Sequence, residues 1–287
     1  MSDLQGTLYL VPTPIGNLED MTLRAIRILK EVDKIAAEDT RRTQQLLNHF
    51  DIQNKVVRYD EHTREKAGEE LIEQLKSGLN IAVVSDAGMP GIADPGTDLV
   101  ERALQEHIPV IPLPGANAGL TALIASGLPT ENFFFAGFLP RTAKKKKESL
   151  EKISQVPGTL IFYEAPHRLK STLESCLKTL GDRDAVWGRE ITKKFETFRR
   201  GKLSELLAHC QVEAPRGEYV LLIAEIASDQ QVETIQTISP QERLTELLDQ
   251  GIAKKEAARQ VAQEFSLSRR EVYNWTIRPD QDGDLEQ

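Results

Sequence analysis

Residues 81–96 read IAVVSDAGMPGIADPG and decide the fold class of this chain. The first five are small or β-branched, which is typical of a strand buried on both faces of a parallel sheet. The next eleven contain three glycines, two prolines and two aspartates, and this connection exceeds the usual length of about two to six residues. A loop that prolines stiffen, and in which glycines leave the main chain accessible, suits a ligand held through main-chain groups. An Ω-like structural loop is the alternative.

Short apolar runs alternate with amphipathic segments on both sides of this stretch. Strands are predicted over 7–12, 34–39, 56–59 and 109–112, and helices from about Met21 and over 42–50, 65–77 and 97–106. This βαβ rhythm predicts a mostly parallel sheet with helices on both faces.

A second set of elements follows. Strands are predicted over 133–138, 158–163, 185–191 and 219–225, and helices over 115–126, 145–153, 169–180 and 203–210. Residues 227–239 are polar and predict a linker. Three short helices are then expected over 240–250, 254–265 and 268–275, the last two with helix-turn-helix spacing. The predicted fold class is α/β: two α/β domains (1–114 and 115–226), a small helical module (239–278) and an acidic tail (279–287).

Composition excludes several classes of protein. Only two cysteines occur, Cys176 and Cys210, so a disulfide framework and a cysteine-rich metal site are excluded. The apolar runs are too short to span a bilayer, and the N-terminus lacks the features of a signal peptide. We therefore expect a cytoplasmic protein that does not bind a membrane.

The net charge of −8 is unevenly distributed. Residues 141–147 (RTAKKKK) carry five bases, and residues 189–202 carry six bases against two acids. Because phosphate attraction acts locally, within about 10 Å, an acidic total does not exclude RNA as a partner. The C-terminal helices have too weak a positive balance to predict DNA binding.

Common catalytic motifs are absent from the sequence. It contains no G-x-G-x-x-G after a strand and no G-x-x-x-x-G-K-[ST], which disfavours a standard dinucleotide fold and a P-loop NTPase. It also lacks H-E-x-x-H and G-x-S-x-G. No metal site is predicted.

Three more loops follow predicted strands, where open α/β sheets bind ligands. They are 12–20 (PTPIGNLED), 113–119 (LPGANAG) and 163–168 (YEAPHR). The last brings Glu164, His167 and Arg168 together for proton transfer or phosphate contact, with solvated surface as the alternative. A further polar cluster, Asp39–Arg41, could face a substrate.

Residues 189–201 (REITKKFETFRRG) interleave bases with aromatic residues. Strand-like alternation predicts two faces: one holds Arg189, Ile191, Lys193 and Phe195, and the other holds Glu190, Thr192 and Lys194. The pattern is typical of RNA contact, although a solvated edge strand is also consistent with it.

In this order the loops resemble the tetrapyrrole methylase superfamily of class III S-adenosylmethionine (SAM)-dependent methyltransferases. Within it they are most similar to a bacterial branch that 2′-O-methylates a decoding-centre cytidine (position 1402) of 16S ribosomal RNA. The motifs that carry the resemblance are LYLVPTPIGNLEDMTLRAIRIL (8–29), AEDTRRT (37–43), SDAGMPGIADPG (85–96), PLPGANAGLTALIASGLPT (112–130), FAGFLPR (135–141), YEAPHR (163–168) and GREITKKFET (188–197).

The resemblance implies that SAM binds in the cleft between the two domains. It also implies a homodimer that uses no metal and acts on 16S rRNA in the 30S subunit. The SAM contacts that it implies are Pro14, Ala87, Gly88, Met89, Ile92, Leu123, Ile124 and Glu164. Loop chemistry adds Asp86, for an amino group or ribose hydroxyls, and Gly115, for close approach of a flat ligand.

The general base is not identified by any motif. The candidate catalytic residues are Glu164, His167, Glu190 and Lys193. The candidate RNA-binding residues are Arg41, Arg141, Lys144, Arg168, Arg189, Lys193, Lys194 and Arg199. Two alternatives to an rRNA methyltransferase are also consistent with the sequence: methylation of a small tetrapyrrole, and a non-catalytic RNA-binding or ribosome-assembly protein.

Overall fold

A computed structural model describes residues 5–93, 96–226, 239–265 and 267–276. The chain forms two compact units, Met1–Glu225 and Ile226–Gln287. The first unit contains two five-stranded sheets and the second contains helices. The predicted linker (227–239) lies outside the described residues except for Ser239, and the predicted acidic tail lies wholly outside them.

The first sheet is entirely parallel, as predicted. Its strands are β1 (Leu8–Val11), β2 (Lys34–Ala37), β3 (Val56–Arg58), β4 (Ile81–Val84) and β5 (Val110–Pro112), in the order β3-β2-β4-β1-β5. The helices between them are α1 (Leu23–Glu31), α2 (Thr40–His49), α3 (Arg64–Lys76) and α4 (Thr97–Gln105).

Strand β4 lies at the centre of this sheet, and its four residues are all buried. Ala82 and Val84 pack into the core on one face, and Ile81 and Val83 pack into the core on the other. Both faces are apolar because helices cover both, which is why the strand has no polar alternation.

The second sheet is mixed. Its strands are β6 (Phe133–Phe138), β7 (Thr159–Glu164), β8 (Asp184–Arg189), β9 (Thr197–Lys202) and β10 (Tyr219–Ile223), in the order β6-β7-β10-β8-β9. Only β6 and β7 are parallel, and every other pairing is antiparallel. The associated helices are α5 (Ala118–Ser126), α6 (Ala143–Ile153), α7 (Pro166–Leu180) and α8 (Leu203–Val212).

The alternation predicted for 189–201 is wrong. Strand β8 ends at Arg189, the chain turns over 190–196, and β9 returns antiparallel to β8. Glu190 and Thr192 have φ angles of 50° and 66°. These left-handed residues break the period of two that would place alternate side chains on opposite faces.

The C-terminal unit matches its three predicted helices. They are α9 (Pro240–Asp249), α10 (Lys254–Glu264) and α11 (Arg269–Trp275), and they enclose a small core of leucine, alanine and valine side chains. Ser239 caps α9 with a reciprocal Ser239–Glu242 capping box. The domain boundary at 114 stays a prediction, because both sheets lie in one compact unit.

Among the residues described, no helix has the length and apolarity needed to span a membrane.

Candidate functional site

The loops after β1 and β4 are joined by hydrogen bonds at the carboxyl edge of the first sheet. The N–H of each of Thr13 and Gly88 donates to the carbonyl of the other, at 3.0 Å in both directions. The Thr13 hydroxyl donates to the Ser85 carbonyl (3.0 Å), and the Ser85 hydroxyl donates to the Gly88 carbonyl (2.8 Å). Gly88 has a φ of 84°, a conformation that glycine adopts without strain.

A cavity of about 510 Å³, which we call the cleft cavity, lies between these loops and the second sheet. The first sheet's side contributes Ile15, Asp86, Ala87, Gly88, Met89, Ile92 and Ala93. The second sheet's side contributes Asn117 and Ala118 at the start of α5, together with Phe138, Tyr163, Glu164, Ala165, Pro166, His167, Ile191, Glu218, Tyr219 and Val220. This volume lies within the range of small-molecule sites, which are mostly apolar with a few polar groups.

Asp86 is the acidic side chain on the first sheet's side of the cavity. Its Oδ1 accepts the Asp39 N–H (3.1 Å), and its Oδ2 lies 3.3 Å from Arg42 Nη1. The carboxylate therefore links the ends of two neighbouring strands, β2 and β4, and keeps them in register at the cavity wall.

Glu164, at the end of β7, is 3% exposed and both of its oxygens are bonded. Oε1 accepts the Ala165 N–H (2.9 Å) and lies 3.3 Å from Arg168 Nε, and Oε2 accepts the Thr172 hydroxyl (2.5 Å). The same hydroxyl accepts a hydrogen bond from the buried amine of Lys146 (3.0 Å). A carboxylate with this many donors fixes the start of α7 and is poorly suited to accept a substrate proton.

His167 lies on the cavity rim in the first turn of α7 and is exposed. Within the described part of the chain, its ring makes no hydrogen bond. Of the four candidate catalytic residues, it is therefore the one with ring nitrogens open to a ligand in the cavity.

Glu190 and Lys193 pair with each other in the turn after β8. Lys193 Nζ lies 3.1 Å from Glu190 Oε1 and 2.7 Å from Glu218 Oε2. Burial alone would raise the pKa of Glu190, but the Glu218 N–H and Lys193 outweigh it and hold that pKa below its ordinary value. Burial would lower the pKa of Lys193, but the two carboxylates raise it above its ordinary value. Both groups stay charged at neutral pH, and neither lines the cleft cavity.

The structure brings six of the ten predicted cofactor residues to the cleft cavity: Asp86, Ala87, Gly88, Met89, Ile92 and Glu164. The other four lie elsewhere. Pro14 lines a second cavity, and Gly115 packs so closely on Pro12 that a Cβ there would lie 2.6 Å from the proline Cβ. Leu123 is buried in a core cluster, and Ile124 is 79% exposed on α5.

The predicted RNA-binding residues divide into two groups. Arg41, Arg141, Lys144, Lys194 and Arg199 are exposed. The other three are engaged within the fold: Arg168 donates to the Leu139 and Pro140 carbonyls, Arg189 lies 3.7 Å from Glu213, and Lys193 holds its two carboxylates.

The second cavity was not predicted from the sequence. It has a volume of about 380 Å³ and lies between the loop after β1 and helix α2, so we call it the α2 cavity. Its lining residues are Thr13, Pro14, Gly16, Leu18, Arg42, Thr43, Gln45, Leu46, His49, Ser85 and Asp86. The spacing of Arg42, Gln45 and His49 on one helix face is the signal that could have indicated it.

The cleft cavity suits a nucleoside-based methyl donor. Gly88 brings the main chain close at the cavity wall, where an added Cβ would lie 3.3 Å from Ile15 Cγ2 and 3.4 Å from the Ala116 carbonyl oxygen. Ala87, Met89 and Ile92 supply apolar surface for an adenosyl group, and Asp86 supplies a carboxylate for a cationic or hydroxyl group. No cluster of metal-binding side chains occurs among the described residues.

Comparison with known proteins identifies the family. The model of the family described as Tetrapyrrole (Corrin/Porphyrin) Methylases matches residues 7–207. A ribosomal RNA small subunit methyltransferase I from Halalkalibacterium halodurans is 51% identical over 274 residues, or 95% of each chain. The protein of that name from Bacillus subtilis is 48% identical over 272 residues, or 94% of this chain and 93% of that one.

Two solved structures share the fold. A uroporphyrin-III C-methyltransferase from Thermus thermophilus, complexed with S-adenosylhomocysteine, has a TM-score of 0.52 at 22% identity and covers 76% of this chain and 97% of that chain. A diphthine synthase has a TM-score of 0.60 at 15% identity, covering 77% and 90%. The chain therefore belongs to the tetrapyrrole (corrin/porphyrin) methylase family and is a SAM-dependent methyltransferase.

Proposed function

We propose that this chain transfers a methyl group from SAM to the ribose 2′-hydroxyl of a cytidine in small-subunit ribosomal RNA. The target is position 1402 of 16S rRNA within the assembled 30S subunit, and the enzyme acts in the cytoplasm. The observation that carries this proposal is the near-full-length identity of about half to relatives named for small-subunit rRNA. The tetrapyrrole enzyme of known structure shares only 22% identity.

The exposed bases support a polyanionic substrate. Arg141 and Lys144 lie at the start of α6, and Lys194 and Arg199 lie in and after the turn that follows β8. None of these four forms an ion pair among the described residues, so each can exchange its counterions for phosphates.

The residues of the cleft cavity bind and orient the reactants. SAM, when bound, supplies a methyl group made electrophilic by the sulfonium. Ala87, Gly88 and Met89 hold the donor against the main chain, and Asp86 binds its polar groups. Fixing donor and ribose in one rigid cleft makes their reaction effectively intramolecular, which lowers the barrier substantially.

His167 takes the proton of the 2′-hydroxyl. A ribose hydroxyl is a very weak acid, so a positioned base assists its attack. Glu164 has both oxygens bonded, and Glu190 and Lys193 neutralise each other. Glu164 and Arg168 instead position the first turn of α7, from which the imidazole projects.

The enzyme acts as a homodimer. Leu120 and Ile124 expose an apolar face of α5, being 45% and 79% exposed, and the partner's matching face would cover them. Ile124→Glu is expected to shift the sedimentation of the chain from dimer to monomer. Val212→Glu, at an 89% exposed valine on α8, is the matched control and should leave the dimer intact. A monomeric parent chain would contradict the dimer without affecting the methylation proposal.

Methyl transfer to isolated particles tests the function. The purified chain is incubated with tritiated SAM and small subunits from a bacterium lacking this modification, and the labelled nucleotide is mapped. We expect one methyl group on the 2′-oxygen of the target cytidine. Label on a base, or no label on particles or naked 16S rRNA, would contradict the proposal, and label on a uroporphyrinoid substrate would replace it.

A further inference from the structure

The α2 cavity adjoins the cleft cavity at one shared side chain, Asp86. The loop after β1 forms the wall between the two. Pro14 and Gly16 line the α2 cavity, whereas Ile15 between them lines the cleft cavity. A ligand in the α2 cavity therefore lies next to a donor in the cleft cavity, with the Asp86 edge as their common boundary.

The groups available to a ligand in this cavity come from α2. The hydroxyls of Thr13 and Ser85 are buried and donate to main-chain carbonyls, so they do not donate to a ligand. Gln45 and His49 are exposed and face the cavity, and Arg42, with a 67% exposed side chain, keeps N–H groups beyond its bond to Asp86. The cavity thus offers guanidinium, carboxamide and imidazole groups along one helix face.

Three further lining residues are apolar. Pro14, Leu18 and Leu46 supply flat or aliphatic surface beside these polar groups. Apolar surface for a ring face, with hydrogen-bonding groups for its edge, is how proteins hold a splayed-out RNA base. The carboxamide of Gln45 both donates and accepts, which matches the acceptor O2 and N3 and the donor amine on the edge of cytosine.

The size of the cavity restricts the ligand. About 380 Å³ lies at the small end of ligand sites. It has room for one nucleobase with its sugar, and a base that enters must first unstack from its neighbours.

We propose that the α2 cavity binds the pyrimidine base of the nucleotide whose ribose is methylated, with Gln45 and His49 as substrate-binding residues. This inference rests on the proposed function and extends it to base recognition. The base lies beside α2, and its ribose reaches the donor across the Asp86 edge.

Two neighbouring glutamines provide a matched test. Gln45 lines the cavity, whereas Gln44 is exposed outside it and donates to Asn48 Oδ1 (2.9 Å). Gln45→Ala removes hydrogen bonds to the base, and Leu46→Trp fills the space. Arg42 is not substituted, because its bond to Asp86 would disturb the cleft cavity as well.

The assay is methyl transfer to unmodified small subunits at two salt concentrations, with calorimetric titration of S-adenosylhomocysteine and thermal melting in parallel. Gln45→Ala should reduce kcat/KM about five-fold, as expected for one lost hydrogen bond, and Leu46→Trp at least ten-fold. The loss should be the same at both salt concentrations, because a base contact releases no counterions. Gln44→Ala should retain the parent activity, and all three variants should keep their S-adenosylhomocysteine affinity.

The outcomes separate this inference from the function on which it rests. If the parent chain methylates the particles and Gln45→Ala and Leu46→Trp match Gln44→Ala, the inference is overturned and the function stands. Weakened S-adenosylhomocysteine binding, or a loss that depends on salt, also overturns it, because the cavity would then serve the donor or a phosphate. If the parent chain methylates no particle, the proposed function fails and the inference fails with it.

Discussion

The two sheets contribute to the cleft cavity in different ways. The first is entirely parallel, so the loops after β1 and β4 meet at one edge, where Thr13 and Gly88 bond to each other and residues 86–89 line the cavity. The second is mixed, and only β6 and β7 run parallel within it. Its contribution is mainly side chains, with the bonded carboxylate of Glu164 and the exposed ring of His167 just after β7.

This difference indicates that the two sheets have different roles in the site. Contacts made by the main chain are not removed by substituting a side chain, except where a glycine gains a Cβ that blocks the approach of the ligand. Contacts made by side chains can be removed one group at a time by substitution. Substitutions on the second sheet's side of the cavity should therefore affect stability and catalysis separately. Substitutions on the first sheet's side should affect donor binding.

The largest effect is expected at Glu164. Glu164→Ala leaves Arg168 and the Thr172 hydroxyl without their buried acceptor, and removing one partner of such a pair costs about 3 kcal/mol or more. The free energy of unfolding, measured by urea denaturation, should fall by that amount. Glu174→Ala, at an exposed position on α7, should change it by less than about 0.5 kcal/mol. Equal effects would mean that the cluster does not stabilise the fold.

His167→Ala should lower kcat about 100-fold, the scale of general base catalysis. The affinity for S-adenosylhomocysteine should be unchanged, because the ring does not hold the donor. Lys170→Ala, one turn further along α7 and exposed, is the control and should keep its kcat. The assay is single-turnover methyl transfer to unmodified small subunits. An unchanged rate for the histidine variant would remove His167 as the base.

Gly88→Ala should weaken S-adenosylhomocysteine binding about ten-fold in calorimetry. Its control is Gly127→Ala, because Gly127 has nearly the same φ, 82° against 84°, but has nothing within 4 Å of an added Cβ. Both variants should lose about 1 kcal/mol of stability to left-handed strain, and the Gly88 variant should lose more because its Cβ lies 3.3 Å from Ile15. Only the Gly88 variant should lose affinity, and equal affinities would argue against a main-chain cradle.

The smallest effect is expected at the exposed bases. Lys194→Ala should weaken binding to small subunits a few-fold and reduce the slope of log K against log salt by about 1. Donor affinity should not change. Lys30→Ala, at an exposed lysine in the last turn of α1, gives the comparison for charge alone. Identical salt slopes for the two variants would exclude the turn after β8 as an RNA contact.

Much of the fold could be predicted from the sequence. Short buried runs such as 81–85 indicate parallel strands, and the long glycine and proline loop after them indicates the cavity wall. The reversal at 190–196 could not be predicted, since the left-handed residues there are Glu190 and Thr192 rather than glycine. Their conformation is held by tertiary bonds, including that from the Glu218 N–H to Glu190 Oε1 (2.9 Å).

The candidate site could be predicted only in part. Residues 86–89 lie at the cavity because they directly follow the central parallel strand β4, and the ends of such strands form the ligand-binding edge of the sheet. The positions of Leu123 and Ile124 depend on which face of α5 packs against the second sheet. Because α5 is apolar on all sides, its sequence does not indicate which face is buried. The α2 cavity combines residues 13–18 with 42–49 and 85–86, which only the folded chain brings together.

The most direct measurement is a crystal structure of the chain with S-adenosylhomocysteine. We expect density for the adenosyl group between the two sheets, against the main chain of residues 86–89 and facing His167. Density at any other position, or side chains packed into the cleft cavity with no room for the ligand, would contradict it.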